Sequence, residues 1–178
     1  MSYQKQLHDS TPVLTNERPF TVLVEGNIGC GKTTFLEHFA QFSQVEVLKE
    51  PVDRWRDVNG HNLLQLMYED PSRWAMPFQS YVQLTMLDHH LHKSNKAVKL
   101  MERSIYSARY CFVENMHKSG KMLGCEFEVL DEWFKFATDN SGLNINVDLI
   151  IYLRTTPEKV SLNILKLCSI VMCTLSGS

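Results

Sequence analysis

The sequence predicts an α/β fold in which a parallel sheet is flanked by helices. Two observations carry this. Short apolar runs alternate with longer amphipathic stretches, as expected of strands joined by helical crossovers. The charged residues Glu25, Glu50, Glu102 and Arg103 each stand at or just past the end of such a run, where open α/β sheets gather their ligands.

The first strand is expected over Phe20–Glu25 and a helix over Lys32–Phe42. Between them runs Gly26-Asn27-Ile28-Gly29-Cys30-Gly31-Lys32-Thr33-Thr34, which satisfies G-x-x-x-x-G-K-[ST]. A tight glycine loop opening a helix offers backbone N–H groups and a positive dipole end to a phosphate. Lys32 would reach the outer phosphates and Thr33 would hold Mg²⁺. The motif refines the expected fold to a P-loop three-layer fold. A glycine turn without a ligand is the bland alternative, and the strand–helix setting argues against it. Cys30 is either an oxidisable thiol or a small residue the loop tolerates.

Further strands are expected over Val45–Leu48, Val98–Met101 and Val147–Leu153. Their short apolar character suits strands buried on both faces. Helices are expected over Asn62–Glu69, Trp74–His90, Ser104–Lys118 and Phe127–Asn140.

The chain has 178 residues, enough for one domain. Net charge is −2, so no basic field points to nucleic acid as a partner. The five cysteines, Cys30, Cys111, Cys125, Cys168 and Cys173, form no C-x-x-C and imply neither a disulfide framework nor a zinc site. Residues 1–18 are polar and read as a disordered lead-in, neither secretory signal nor clear transit peptide. No membrane association is expected.

Three constellations carry chemistry. A carboxylate near a bound triphosphate is repelled unless it has work to do. Glu50, just past the second strand, is therefore a candidate base for an attacking alcohol, or else a solvated loop glutamate. Arg103 can neutralise charge on a phosphoryl group, and Glu102 can hold Mg²⁺ through water. The alternative for these two is a surface ion pair. On the helix Trp74–His90, Gln79, Val82 and Met86 share a face with Phe78 adjoining. A lone amide among apolar groups is costly to bury unpaired. A nucleobase would pair with Gln79 and stack on Phe112, or the stripe is plain core. Trp55, Met67, Tyr68, Arg103 and Ala108 would complete the pocket. Ala108 and Phe112, four apart, are expected on one helix face. An apolar pocket with one amide fits a neutral nucleoside better than a nucleoside monophosphate.

These residues resemble the deoxyribonucleoside kinases, in particular the animal mitochondrial-type thymidine kinases and the insect multisubstrate enzymes. The likeness covers about Pro19 to Glu158 and rests on EGNIGCGKTT, EPVDRW, WAMPFQSYVQLTML, MERSIYSARYCFVEN and DLIIYLRTTPE. It implies ATP and Mg²⁺, Glu50 as general base for the sugar 5′-hydroxyl, and Arg103 beside that hydroxyl. It further implies Gln79 on the base, Phe112 stacked on it, and Tyr68 on the 3′-hydroxyl. Trp55, Phe78, Val82, Met86 and Ala108 would wall the pocket, with the last three of the types that admit thymidine and deoxycytidine. A helix-packed homodimer and a mitochondrial or cytoplasmic location are also implied.

The likeness ends after Glu158. The family continues into an arginine-rich lid and a fifth strand, whereas residues 159–178 contain no arginine. The expectation is a kinase domain over 19–158, incomplete at its C-terminus, with four of five strands and a divergent tail. The alternative function that follows is a catalytically impaired form that binds nucleoside or partner.

Overall fold

The computed structural model describes residues 18–156. Most of the lead-in, all of the tail, and Cys168 and Cys173 lie outside the described residues. Four strands form one parallel sheet: β1 (Phe20–Gly26), β2 (Val45–Leu48), β3 (Val98–Glu102) and β4 (Leu149–Leu153), in the order β2-β3-β1-β4. β1 pairs with β3 from Phe20↔Val98 to Val24↔Glu102 and with β4 from Val22↔Leu149 to Gly26↔Leu153. The register brings the ends of β1 and β3 side by side.

Pleating explains the apolar runs of β1 and β3, because successive side chains leave opposite faces and both faces are covered there. β4 departs from the expectation of a strand buried on both faces, since it lies at the edge of the described sheet and leaves Leu149, Ile150 and Tyr152 exposed. Val22, Val24 and Leu100 pack on Leu36 of α1 (Lys32–Phe39), with Phe35, Phe39 and Val47 around them. Leu23 and Met101 alternate with these residues and are fully buried. The α1 helix is shorter than expected because a turn follows it. Phe42 N–H donates to Phe39 O at 3.1 Å, and Val45 N–H to Phe42 O at 3.0 Å.

A second core is helical. It joins α2 (Val52–Arg56), α3 (Leu63–Glu69), α4 (Pro71–Leu91) and α7 (Gly124–Asp139) through Trp55, Met67, Phe78, Val82, Met86 and Phe134. α2 was not anticipated, since five residues are too few to show a period. α4 begins three residues before the expected start because Asp70 caps it, accepting from Arg73 N–H at 3.3 Å, with Pro71 in the first turn. α7 begins early for a similar reason: the Glu126 carboxylate accepts from Leu123 N–H at 2.9 Å.

The helix expected over Ser104–Lys118 is three pieces: α5 (Ile105–Ser107), a π-helical segment (Ala108–Val113) and α6 (Glu114–Lys118). A π turn closes i→i+5. Arg109 and Glu114 have that spacing, and their side chains bond at 3.0 Å. Buried Arg109 also donates to Asp131 at 2.6 Å and lies 4.4 Å over the Phe127 ring.

β4 starts at Leu149 rather than Val147. Asp148 is occupied instead by Arg18, at 2.6 and 2.7 Å, and by Thr21 N–H at 2.7 Å. These bonds hold its carboxyl down at about 2. Arg18, assigned to the lead-in, is thus fixed to the domain. Among the described residues no helix is long and apolar enough to cross a membrane.

Candidate active site

The C-terminal ends of β1, β2 and β3 open on one edge, and the charged residues meet there. In the phosphate loop, Gly29 and Gly31 have φ of 75° and 95°, a region that glycine enters at little cost. Lys32 is buried, and its Nζ donates to Gly26 O at 3.1 Å and Asn27 O at 2.9 Å. Burial, followed by the charge of Arg103, pulls its pKa below the usual lysine value. Thr33 Oγ1 donates to Glu102 Oε1 at 2.8 Å. Among the described residues no group of three His, Cys, Asp or Glu is placed to hold a metal. Mg²⁺ at a nucleotide needs few protein ligands, and it favours hard oxygens. The Thr33–Glu102 pair fits that demand.

Glu50 and Arg103 meet across the edge, with Arg103 Nε 3.0 Å from Glu50 Oε1. Burial pushes the Glu50 carboxyl above the usual glutamate value. Arg103 opposes the rise and Glu102 adds to it. A carboxylate raised in this way holds a proton better near neutral pH. Arg103 has φ of 63°. This left-handed conformation costs a non-glycine residue about 1–3 kcal/mol and persists where surrounding bonds enforce it. Its guanidinium stands 4.7 Å from the Phe112 ring centroid.

Beyond this edge lies a cavity of about 530 Å³ whose lining includes Ile28, Glu50, Trp55, Met67, Tyr68, Phe78, Gln79, Arg103 and Phe112. Its size suits a small-molecule site. The Trp55 ring meets Phe78 edge-on at 5.7 Å, and its Nε1–H donates to Thr85 Oγ1 at 2.9 Å. Gln79 is 1 % exposed, and its Oε1 has no partner. Such an orphan costs about 1–3 kcal/mol until something donates to it. Tyr68 is 70 % exposed, at the rim.

Val82, Met86 and Ala108 do not line this cavity. They are buried in the helical core behind Trp55 and Phe78. The expectation that Ala108 and Phe112 share a face is corrected, because π winding turns Phe112 into the cavity and leaves Ala108 in the core. Arg56, Asn115 and Lys121 also line the cavity. Sequence reasoning missed them, and only the adjacency of Arg56 to Trp55 could have signalled one. Cys30 is partly buried in the loop, its sulfur 3.9 Å from Lys32 Nζ.

Comparison with known proteins bears on this geometry. The family model for deoxynucleoside kinase matches residues 22–169. The chain is 53 % identical over 152 residues to mitochondrial thymidine kinase 2 of Homo sapiens, covering 85 % of this chain and 57 % of that protein. Identity to the Macaca fascicularis protein of the same name is 54 % over 142 residues, covering 80 % and 53 %. Deoxycytidine kinase of Mus musculus is 38 % identical over 161 residues, covering 78 % and 62 %. The chain therefore spans about three-fifths or less of the length of these relatives. The match over most of the chain, joined to a phosphate loop, a strand-end acid–arginine pair and a cavity on one sheet edge, shows that the chain belongs to the deoxynucleoside kinase family.

Proposed function

We propose that this protein transfers the terminal phosphoryl group of ATP to the 5′-hydroxyl of a deoxyribonucleoside, with thymidine and deoxycytidine as preferred acceptors. The observation that carries the reading is the Glu50–Arg103 pair, set between the phosphate loop and the cavity that holds the unpaired Gln79 amide.

Glu50 accepts the 5′-hydroxyl proton, and Arg103 aims the carboxylate and steadies the charge that develops beside it. Lys32 exchanges its bonds to Gly26 and Asn27 for the outer phosphates, and the loop N–H groups from Gly26 to Thr34 cradle the rest. Thr33 and Glu102 would hold Mg²⁺, which when bound neutralises phosphate charge. Gln79 pairs with the base and Phe112 stacks on it. Trp55, Met67 and Phe78 wall the site, and Tyr68 at the rim bonds the 3′-hydroxyl. Val82, Met86 and Ala108 set the wall's depth from behind. The relatives' names support both the acceptor class and a mitochondrial location, with cytoplasm as the other location.

The same reading includes a homodimer. Leu84, Trp133 and Phe136 are exposed on α4 and α7 and line an apolar pocket of about 280 Å³. Patches of this kind mark association surfaces. Light scattering should give twice the chain mass, and Trp133→Glu should halve it.

The function is tested by incubating the 178-residue chain with ATP, Mg²⁺ and either thymidine or deoxycytidine and measuring the 5′-monophosphate. Thymidine monophosphate offered as acceptor should give no diphosphate. Because Arg56 and Lys121 also line the cavity, this control matters. Turnover of the monophosphate, or none of either nucleoside, sinks the reading.

A further inference from the structure

We infer that Glu25 is a positioning residue: with Ser104 it forms a latch that holds Arg103 in its left-handed turn, from which the guanidinium meets Glu50 and Phe112. The inference rests on the reading of Glu50 and Arg103 above and extends it to a residue with no role there.

Two consecutive residues of β1 grip two consecutive residues after β3. Val24 O accepts from Arg103 N–H at 3.1 Å. Glu25 Oε1 accepts from Ser104 Oγ at 2.6 Å, a length typical of a hydroxyl donating to a carboxylate. The parallel register, with Val24 opposite Glu102, makes this double grip possible. Ser104 is held from its other side too. Its Oγ accepts from Ser107 N–H at 3.2 Å, and its N–H donates to Ser107 Oγ at 3.1 Å. Ser104 is 1 % exposed, so no water competes for these bonds.

Glu25 stands on the far side of Arg103 from Glu50 and Gln79. It lines a neighbouring cavity of about 670 Å³ with Ser104 and Ser107; Ile28, Arg103 and Phe112 line both cavities, whereas Glu50 and Gln79 line only the other. A carboxylate beside a loop built for phosphates also weakens their binding by repulsion. A local task offsets that disadvantage. A left-handed arginine relaxes unless its flanks are fixed. Releasing Ser104 would let Arg103 rotate toward an ordinary φ and carry its guanidinium off the Phe112 ring.

Arg103 reports its own position. Its Nε–H should show a ring-current shift, because the guanidinium carbon stands 4.7 Å from the Phe112 centroid. NMR of the full chain without nucleotide, with the signal assigned through Arg103→Lys, reads this whether or not the chain phosphorylates anything. Ser104→Ala and Glu25→Ala should return the signal to the bulk arginine position. Glu25→Gln keeps an acceptor for Ser104 and should retain the shift. Turnover should follow, falling tenfold or more in the alanine variants and staying within about twofold in the glutamine variant. A shifted signal that persists in both alanine variants overturns the latch. So does its loss with turnover unchanged. If the alanine variants do not fold, amide exchange in the unaltered chain decides. Arg103 and Ser104 should exchange as slowly as the β1–β3 ladder, and loop-like exchange overturns the proposal.

Discussion

The two sides of the site are built on opposite principles. The strand-end wall, in which Lys32, Thr33 and Glu102 stand behind the cavity-lining Glu50 and Arg103, is charged, and its groups contact one another or nearby backbone. The helical wall, made of Trp55, Phe78, Gln79 and Phe112, is mostly apolar and keeps one buried acceptor unpaired. Charge contacts organise the first wall before any ligand arrives, although Arg103 Nε, 3.0 Å from Glu50 Oε1, makes an ion pair without an aligned hydrogen bond, whereas the second leaves a neutral acceptor open to a ligand. Preorganised charge acts on rate. An unsatisfied acceptor in a shaped cavity acts on binding. Changes in the strand-end wall should therefore lower kcat, and changes in the helical wall should raise KM.

The largest expected effect tests the first half of that division. Glu50→Gln keeps the shape and removes the proposed proton acceptor. The kcat for thymidine should fall by about 10²–10⁴, the usual worth of a general base, with KM within about threefold. An equal rise in KM with kcat preserved would place Glu50 among the binding groups and erase the contrast between the walls.

The joint between the walls gives the next effect. His90, near the end of α4, is 2 % exposed, and its Nε2 accepts from Ile105 N–H at 3.3 Å just past the strand-end wall. Burial, helped by the charges of Lys99 and His89, lowers its pKa from 6.5 to about 4. Between those values the unfolded chain takes up the proton more readily than the folded one. The neutral ring's contribution is thus complete above about pH 6.5 and is lost as pH falls toward about 4, amounting to about 3 kcal/mol. Carboxylates titrate in the same range, so the measurement is a difference. Urea unfolding at pH 7 and pH 4.5 should show a steeper loss for the unaltered chain than for His90→Asn. Equal losses would mean that the joint is not closed around a neutral imidazole.

The walls also differ in how far the sequence revealed them. The phosphate loop was legible because its glycine and lysine spacing is itself the geometry of a turn opening a helix. Glu50 and Arg103 were legible because each stands just past an apolar strand, and strand ends share an edge in a parallel sheet. The helical wall was legible in composition but not in direction. A helical period assigned Ala108 and Phe112 to one face, yet the Arg109–Glu114 and Arg109–Asp131 bonds accompany a π turn that separates them. One of those partners lies 22 residues from Arg109 in the chain, beyond any local pattern. Buried Lys99 was hidden for the same reason. It sits in a strand that reads as apolar, and its Nζ is taken by His90 O at 2.7 Å, near the end of α4.

The smallest expected effect is the sharpest test of the second wall. Gln79→Leu replaces an amide whose Oε1 is buried and unpaired with an apolar group of similar volume. In the free protein this removes a cost, so stability should hold or rise by up to about 1 kcal/mol. In the proposed complex it removes the donor and acceptor offered to a pyrimidine edge. Thymidine and deoxycytidine binding should weaken by about ten- to thirtyfold, or about 1–2 kcal/mol, with kcat at saturation little changed. The opposite signs matter, because a residue that merely packs would lose stability and leave affinity alone. Should Gln79→Leu prove less stable with binding intact, the amide has a partner inside the fold, and Gln79 belongs to the packing of the helical wall rather than to its ligand contacts.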